Sequence, residues 1–494
     1  MAESKISVGV DDALSPALGS LVNSDRLAPW VWVFLYTAVL ASLSAIRYQA
    51  WFATGWDLGL YQQGLWSIWH QGLLARSSLT GLPIVAESGS LILWVLAPLY
   101  HFGGTGLLFA LQSLSLGLGY LGIVRIGEDL GLDARTRHVV GLVYLIYPVL
   151  LGANLDDFHP VTLAVPLLFA AVHFGLQKRW LAYSLLVLLT FSVNDVSALA
   201  VIGMGLGLAF WCADERRWAG VLAMLAGLLW LVIITGYLVP HWTHQSFWLP
   251  YYAAFGKTSH EALDSVAKKP WLLLAWLRSI RSLEYVAFIG GPVAGLLLFK
   301  TRWQAWIWLA GALFIVELNG LSQNAGQTTP FDQYSVLAIP SIFVALLAMM
   351  QRVKWRTGWR YRWRSLIAVV FLAVTGYHLH ATTWYRAPNN TVELAAAEAL
   401  MPKHVPVVAQ NFVMPHFSNR EDLWDANQLG SIPLRAGTYV LFDSSFSTGN
   451  TPTALLTQWT SYLTKTQKVV YQKKGVIEIR IVHPVAKGVR PTLG

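Results

Sequence analysis

Residues 29–48 read PWVWVFLYTAVLASLSAIRY, twenty residues with a single charge, Arg47. A helix rises about 1.5 Å per residue, so this run matches the roughly 30 Å hydrocarbon core of a bilayer. The 28 residues before it are polar and mixed in charge, which predicts a cytoplasmic segment over 1–28 and no cleavable secretion signal. Further apolar runs lie at 105–124, 138–153, 160–176, 181–194, 196–211, 219–239, 285–299, 303–318, 333–350 and 365–381. With the first run they predict a multi-pass bundle of about eleven spans over 29–381.

Composition agrees. Of 494 residues, 55% are apolar and 12% are charged, roughly half the usual share of about 25%. That balance excludes a soluble enzyme, a disordered chain and a coiled coil. The single Cys212 excludes an internal disulfide framework and a multi-cysteine metal site. A net charge of +9 would point to nucleic acid in a soluble protein, but its distribution does not. With the N-terminus cytoplasmic, inner segments carry 17 Lys and Arg, including the cluster RVKWRTGWRYRWR (352–364), against seven in outer segments before the last span. The excess is a topology signal suited to anionic lipid, and it places the C-terminus outside.

The stretch LILWVLAPLY (91–100) is too short to cross comfortably, and as a span it would put the basic loop 125–138 outside. The expectation is therefore that 57–73 and 88–102 are helices along the outer interface, where Trp56, Trp66, Trp69 and Trp94 suit the headgroup zone. From about Thr382 charges return and apolar runs shorten. Helices are expected at 391–401 and 452–464, and strands at 405–410, 438–443, 468–472 and 476–482. Residues 382–494 thus read as a small extracytoplasmic α/β domain.

Predicted span centres are almost free of charge, whereas transporters tend to keep ionisable groups near the midplane. The carboxylates gather on the outer side: Asp57, Glu87, Asp156, Asp157, Asp195, Glu261, Asp264, Glu317 and Asp332. The loops holding Asp57, Asp156–Asp157 and Asp195 open on one face and could meet in one site. Each residue also has a plainer reading. Asn194–Asp195 is ordinary turn chemistry. Asp57, in GWDLGLYQQGLW (55–66) with Gln62 and Gln63, could cap the helix that follows. In DDFHP (156–160), Asp157 or His159 could cap a helix begun by Pro160, or His159 could bind phosphate or metal with the aspartates. No phosphate loop, HExxH, GxSxG or dinucleotide fingerprint is present. Gly203, Gly205 and Gly207 read as close-packing positions within a span.

Four blocks in order resemble a prokaryotic multi-span family known as domain of unknown function 2079: WDLGLYQQGLW (56–66), LAPLY (96–100), DDFHPVTLAVPLLFAA (156–171), and VMPHFSNREDLW (413–424) leading to GTYVLFD (437–443). That family looks like a branch of the GT-C glycosyltransferases, which take sugars from polyprenyl-phosphate carriers. The resemblance implies a GT-C-like all-α membrane domain in a prokaryotic plasma membrane and a catalytic base in the first outer loop, here Asp57. Its further acidic positions fall on Asp157 with His159 and on Asn194–Asp195. This chain departs from the pattern at Glu87–Ser88, at Asn194, and at Gln333, which precedes Tyr334.

The expected chemistry is inverting sugar transfer, with Asp57 as general base and Asp157 and Asp195 as further catalytic candidates. Substrate-binding candidates are His159, Gln63, Lys257, His241, Tyr334, His416 and Arg420. The plainer reading of Arg278 and Arg281 is interfacial snorkelling, and His416 and Arg420 could instead dock the tail. The partners would be a polyprenyl-phosphate sugar donor, a glycan, lipid or protein acceptor, and membrane lipids, with no nucleic acid. No cofactor and no metal ligand are assigned, and a divalent cation stays open. The competing expectation is a non-catalytic transporter or a lipid- or polysaccharide-handling protein with a degenerate site.

Overall fold

A computed structural model describes residues 28–244, 249–294, 302–351, 390–444 and 452–491. The expected span at 365–381, the basic cluster at 352–364 and the N-terminal segment 1–27 lie outside the described residues.

The chain enters with α1 (Ala28–Gln49). A tight π-turn at Gly55–Gly59 leads into α2 (Leu60–Gln71), and α3 (Leu93–Asp129) follows. Next come α4 (Ala134–Leu145), α5 (Pro148–Leu155), α6 (Ala164–Leu176), α7 (Trp180–Phe191), α8 (Ser197–Trp211) and α9 (Arg216–Ile233). The helical part ends with α10 (Ile280–Ala294), α11 (Ala310–Leu321) and α12 (Ala338–Met350). Among the described residues, four helices are long and apolar enough to cross a membrane: Pro29–Gln49, Leu93–Asp129, Arg216–Thr243 and Trp303–Leu321. The pair α4 and α5, bent by 43° just before Pro148, would make a fifth, and four further apolar helices among the described residues are shorter, at 10–17 residues. The described helices thus give several spans but not the full expected set of eleven.

Two breaks follow from single residues. Pro148 opens α5 because its ring fixes φ and removes a donor, which a helix tolerates only at its start. The 37 residues of α3 would reach about 55 Å if straight, but Gly104 sits at φ 60°, ψ −162°, outside helical space. That divides a first part of α3, near residues 93–103, from a membrane-length remainder, where the sequence separates 88–102 from 105–124.

Helix packing is closest where glycines face each other. A Cβ on Gly203 of α8 would come within 2.1 Å of Gly311 in α11, and one on Gly205 within 2.6 Å of the Gly220 carbonyl in α9. These contacts let backbones approach and gain dispersion where lipid offers no hydrophobic drive.

The C-terminal part holds α13 (Thr391–Leu400), α14 (Thr453–Thr466) and five strands: β1 (Val407–Ala409), β2 (Leu423–Asp425), β3 (Tyr439–Asp443), β4 (Lys468–Lys473) and β5 (Val476–Arg480). The sheet order is β2-β1-β3-β5-β4. The first three strands are parallel, and β5 runs antiparallel to β3 and β4. The β4–β5 hairpin turns on Lys474 and Gly475, both at positive φ as the twist of a two-residue hairpin demands. Strand β2 was not expected from sequence.

Alternation along the strands divides two cores. Val407, Ala409 and Leu441 join Leu58, Leu65, Phe109 and Met414 in a core shared with the helical part. Val408, Val440 and Phe442 pack instead with Trp459 and Leu463 of α14. One sheet face is therefore committed to the helices beneath it, and this brings residue 411 beside residue 55.

Candidate active site

Arg47, at the end of α1, is 7% exposed and donates from Nη1 to Asp157 Oδ1 (2.7 Å) and to the Leu155 carbonyl (2.6 Å). Asp157 Oδ2 accepts from the Thr54 backbone N–H at 2.8 Å. The Thr54 hydroxyl lies 2.6 Å from Asp57 Oδ2 and 3.0 Å from Asp157 Oδ2. It has one proton, so it donates to one carboxylate at a time and bridges the pair. Asp157, at φ 84°, thereby anchors the segment that carries Asp57.

Across from Thr54, His159 Nε2 lies 3.1 Å from Asp57 Oδ1, while His159 Nδ1 is buried with no partner among the described residues. The proton accordingly belongs on Nε2, donating to Asp57, because an Nδ1–H there would have no acceptor. His159 precedes the 3₁₀ turn Pro160–Leu163, but its side chain makes no capping bond to that turn. Gln112, in the middle of α3, fixes the loop. Its amide donates to the carbonyls of Asp157 (2.6 Å) and Asn154 (2.9 Å), and its Oε1 accepts from the His159 N–H (2.8 Å).

The tail supplies the last fixing contact. Asn411 Oδ1 accepts from the N–H groups of Gly55 (2.8 Å) and Trp56 (3.1 Å), capping the Asp57 turn from 356 residues away. Trp56 Nε1 donates to Asp425 Oδ2 at 2.5 Å. A side chain at position 55 would crowd the tail, since a Cβ there would lie 2.8 Å from the Asn411 backbone carbonyl and 2.7 Å from Met414 Cβ.

Asp57 faces a cavity of about 270 Å³. Asp195, Glu87, His159, Gln333 and Tyr334 line it too, with aromatic Trp56, Tyr61, Tyr251 and Tyr252. Three of the acidic loops named from sequence thus meet, with one difference: Asp157 stands behind the wall and does not line the cavity. The positions where the chain departs from the family pattern, Glu87–Ser88, Asn194 and Gln333, all face this space. The first of them touches the turn that holds the second, since the Asp195 N–H donates to the Ser88 carbonyl at 2.9 Å.

Burial raises the Asp57 carboxyl, but the bonds from His159 and the Thr54 hydroxyl and the nearby Arg47 together hold it below its ordinary value. Its neighbours move the other way. Burial pushes Glu87 up to about 8 despite the Thr80 hydroxyl bond, and Asp195 up to about 7 despite bonds from backbone N–H groups. Near neutral pH the cavity therefore holds an ionised Asp57 beside a Glu87 that keeps its proton, with Asp195 close to its midpoint. No Lys or Arg lines it among the described residues. Likewise no group of three or more His, Cys, Asp or Glu able to hold a metal ion is found among them.

The remaining candidates lie elsewhere. Gln63 donates to Ser78 Oγ (2.5 Å) and the Glu421 carbonyl (3.0 Å), joining α2 to the tail. His416 stacks between Tyr48 and Trp51 and lies 3.0 Å from the Tyr48 carbonyl. Arg420 donates to the Phe417 and Val405 carbonyls. His241 is exposed and stacks on Tyr237, and exposed Lys257 bonds Glu261 through its backbone N–H. None of these five lines the Asp57 cavity. Sequence reading passed over Thr54, Gln112 and Asn411. Only Gln112 carried a signal, as a lone amide within an apolar span.

No curated protein matches the sequence. Among solved structures, ArnT from Cupriavidus metallidurans bound to undecaprenyl phosphate is similar at 14% identity, over 93% of this chain and 99% of that one, with a TM-score of 0.49. The apo structure of the same protein is similar at 14% identity, over 92% and 98%, with a TM-score of 0.44. The family of predicted membrane proteins DUF2079 matches residues 47–428, a span that takes in Arg47, Asp57, His159, Asp195 and Asn411, and the chain belongs to that family.

Proposed function

We propose that the Asp57 cavity transfers a sugar from a polyprenyl-phosphate carrier to an acceptor hydroxyl at the outer face of the membrane, in a GT-C-like fold. The observation that carries this reading is the pairing of Asp57 with His159 and Thr54 at the wall of a cavity lined by aromatic, amide and carboxyl groups. Aromatic faces and amides suit a sugar ring, and a carboxylate held ionised suits proton abstraction.

In the proposed step the acceptor oxygen attacks the anomeric carbon as its proton passes to Asp57. The bond from that carbon to the carrier phosphate breaks, and the phosphate leaves with the electron pair. His159 Nε2–H holds the Asp57 carboxylate in position throughout. The leaving phosphate needs hydrogen-bond donors more than a proton. Protonated Glu87 and the tyrosine hydroxyls can supply them where Lys and Arg are lacking from the described lining. The lining comes from loops and helix ends, including residues 57, 88, 159, 195, 251 and 333, which supports chemistry at a boundary over passage through the bilayer.

The test is reconstitution of the full chain with radiolabelled polyprenyl-phosphate sugars, preceded by mass spectrometry of whatever lipid-linked sugar co-purifies. Transfer is expected from the native protein and not from Asp57→Asn. Transfer that is unchanged in that variant overturns the role of Asp57.

A further inference from the structure

A second cavity, about 570 Å³, opens where the C-terminal part meets α2 and the first part of α3. No residue lines both cavities. Helix α2 separates them: Tyr61 faces the first and His70 the second, nine positions on and about 180° around the helix.

The walls of the second cavity are rich in donors. Lys403, His404, His70 and His101 line it from the surface, and Arg420 lines it from within. Arg420 is 7% exposed; its Nε and Nη1 are satisfied by carbonyls at 2.6 and 2.7 Å, and its Nη2 has no hydrogen-bond partner among the described residues. A buried guanidinium with a spare donor favours an anion. The acid facing it is Glu398, 3.7 Å from His416 Nδ1, with its carboxyl raised by burial against the pull of Arg420.

The lip at His101 is apolar and exposed: Phe102 is 81% exposed and Trp69 43%. His101 joins lip to hollow, stacked on Trp69 at 4.6 Å with Phe102 edge-on at 5.0 Å. A soluble anion would use the hollow and leave the lip bare, whereas an amphiphile uses both.

We propose that this cavity binds the headgroup of an anionic phospholipid, with the acyl chain lying along Trp69 and Phe102. The inference is independent of the sugar-transfer reading, which concerns the other cavity.

Native mass spectrometry of the detergent-solubilised full chain tests it with dioctanoyl phosphatidylglycerol, dioctanoyl phosphatidylcholine and inorganic phosphate. Phosphatidylglycerol should be retained about tenfold better than phosphatidylcholine, and the exposed pair Lys403→Gln and His101→Gln should remove that preference. Phe102→Ser should weaken retention of the lipid, and inorganic phosphate should not displace it at equal concentration. Asp57→Asn should leave retention unchanged. Lys403→Gln alone carries the test if the double variant does not fold. Equal retention of both lipids, displacement by equimolar phosphate, or loss of retention in Asp57→Asn would each overturn the proposal.

Discussion

Asp57 and Glu87 are both acidic residues on one cavity, yet their surroundings drive them apart. Asp57 receives the His159 and Thr54 bonds, whereas Glu87 has burial and the Thr80 hydroxyl. In the proposed reaction, opposed shifts of this kind suit Asp57 to accept the proton and Glu87 to donate a hydrogen bond. Asp57→Asn should lower transfer by about 10²–10⁴-fold with the gel-filtration profile unchanged, as read by radiolabel transfer. The sign for Glu87 is the reverse of the usual carboxylate case. Unfolded Glu87 ionises near 4.5, while the folded group keeps its proton to about 8. Its contribution to stability therefore declines as pH rises between those values and is level above them. Glu87→Gln keeps an acceptor for Thr80 and should flatten that decline, which thermal unfolding in detergent at pH 5, 6.5 and 8 measures. Asp57, Glu87, His159 and Asp195 were legible because acidic and histidine residues are conspicuous in an apolar chain. The supporting Arg47–Asp157 pair was not, because its members are 110 residues apart.

At the scale of elements, the position of α2 against α3 depends on a backbone angle at Gly104. Nothing lies within 4 Å of a Cβ there, so a substitution meets strain and no clash. Gly104→Ala should cost about 1–3 kcal/mol through that strain alone, read as a lower thermal midpoint. Gly203→Val acts by the other route, forcing α8 from α11 where the backbones nearly touch, and should lower the folded yield. The apolar runs made most helices legible, since length and hydropathy are local properties. Strand β2 escaped notice because three residues, LWD (423–425), are too few to show alternation. It exists only because the parallel strand β1 lies beside it.

Over the whole molecule, the C-terminal part is built into the site. Asn411 satisfies two N–H groups at the Asp57 turn, and leaving buried donors unpaired costs about 1–3 kcal/mol each. Asn411→Ala should therefore lower the transfer rate with little change in donor KM, and Asn411→Asp, which keeps the acceptor oxygen, should restore much of it. Steady-state kinetics separates the two effects. This docking was not legible, because the sequence shows a second composition beginning near residue 382 but not the face by which it packs.

The Asn411 clamp also carries a consequence for synthesis. The Asp57 turn leaves the ribosome 356 residues before the side chain that caps it. At about 5–20 residues per second, that interval lasts about 20–70 s. Once residue 195 has been added, the nascent chain holds Asp57, His159 and Asp195 without the clamp that fixes the first of them. Assembly thus ends with the site, and a chain cut short anywhere before residue 411 carries the Asp57 turn without its cap.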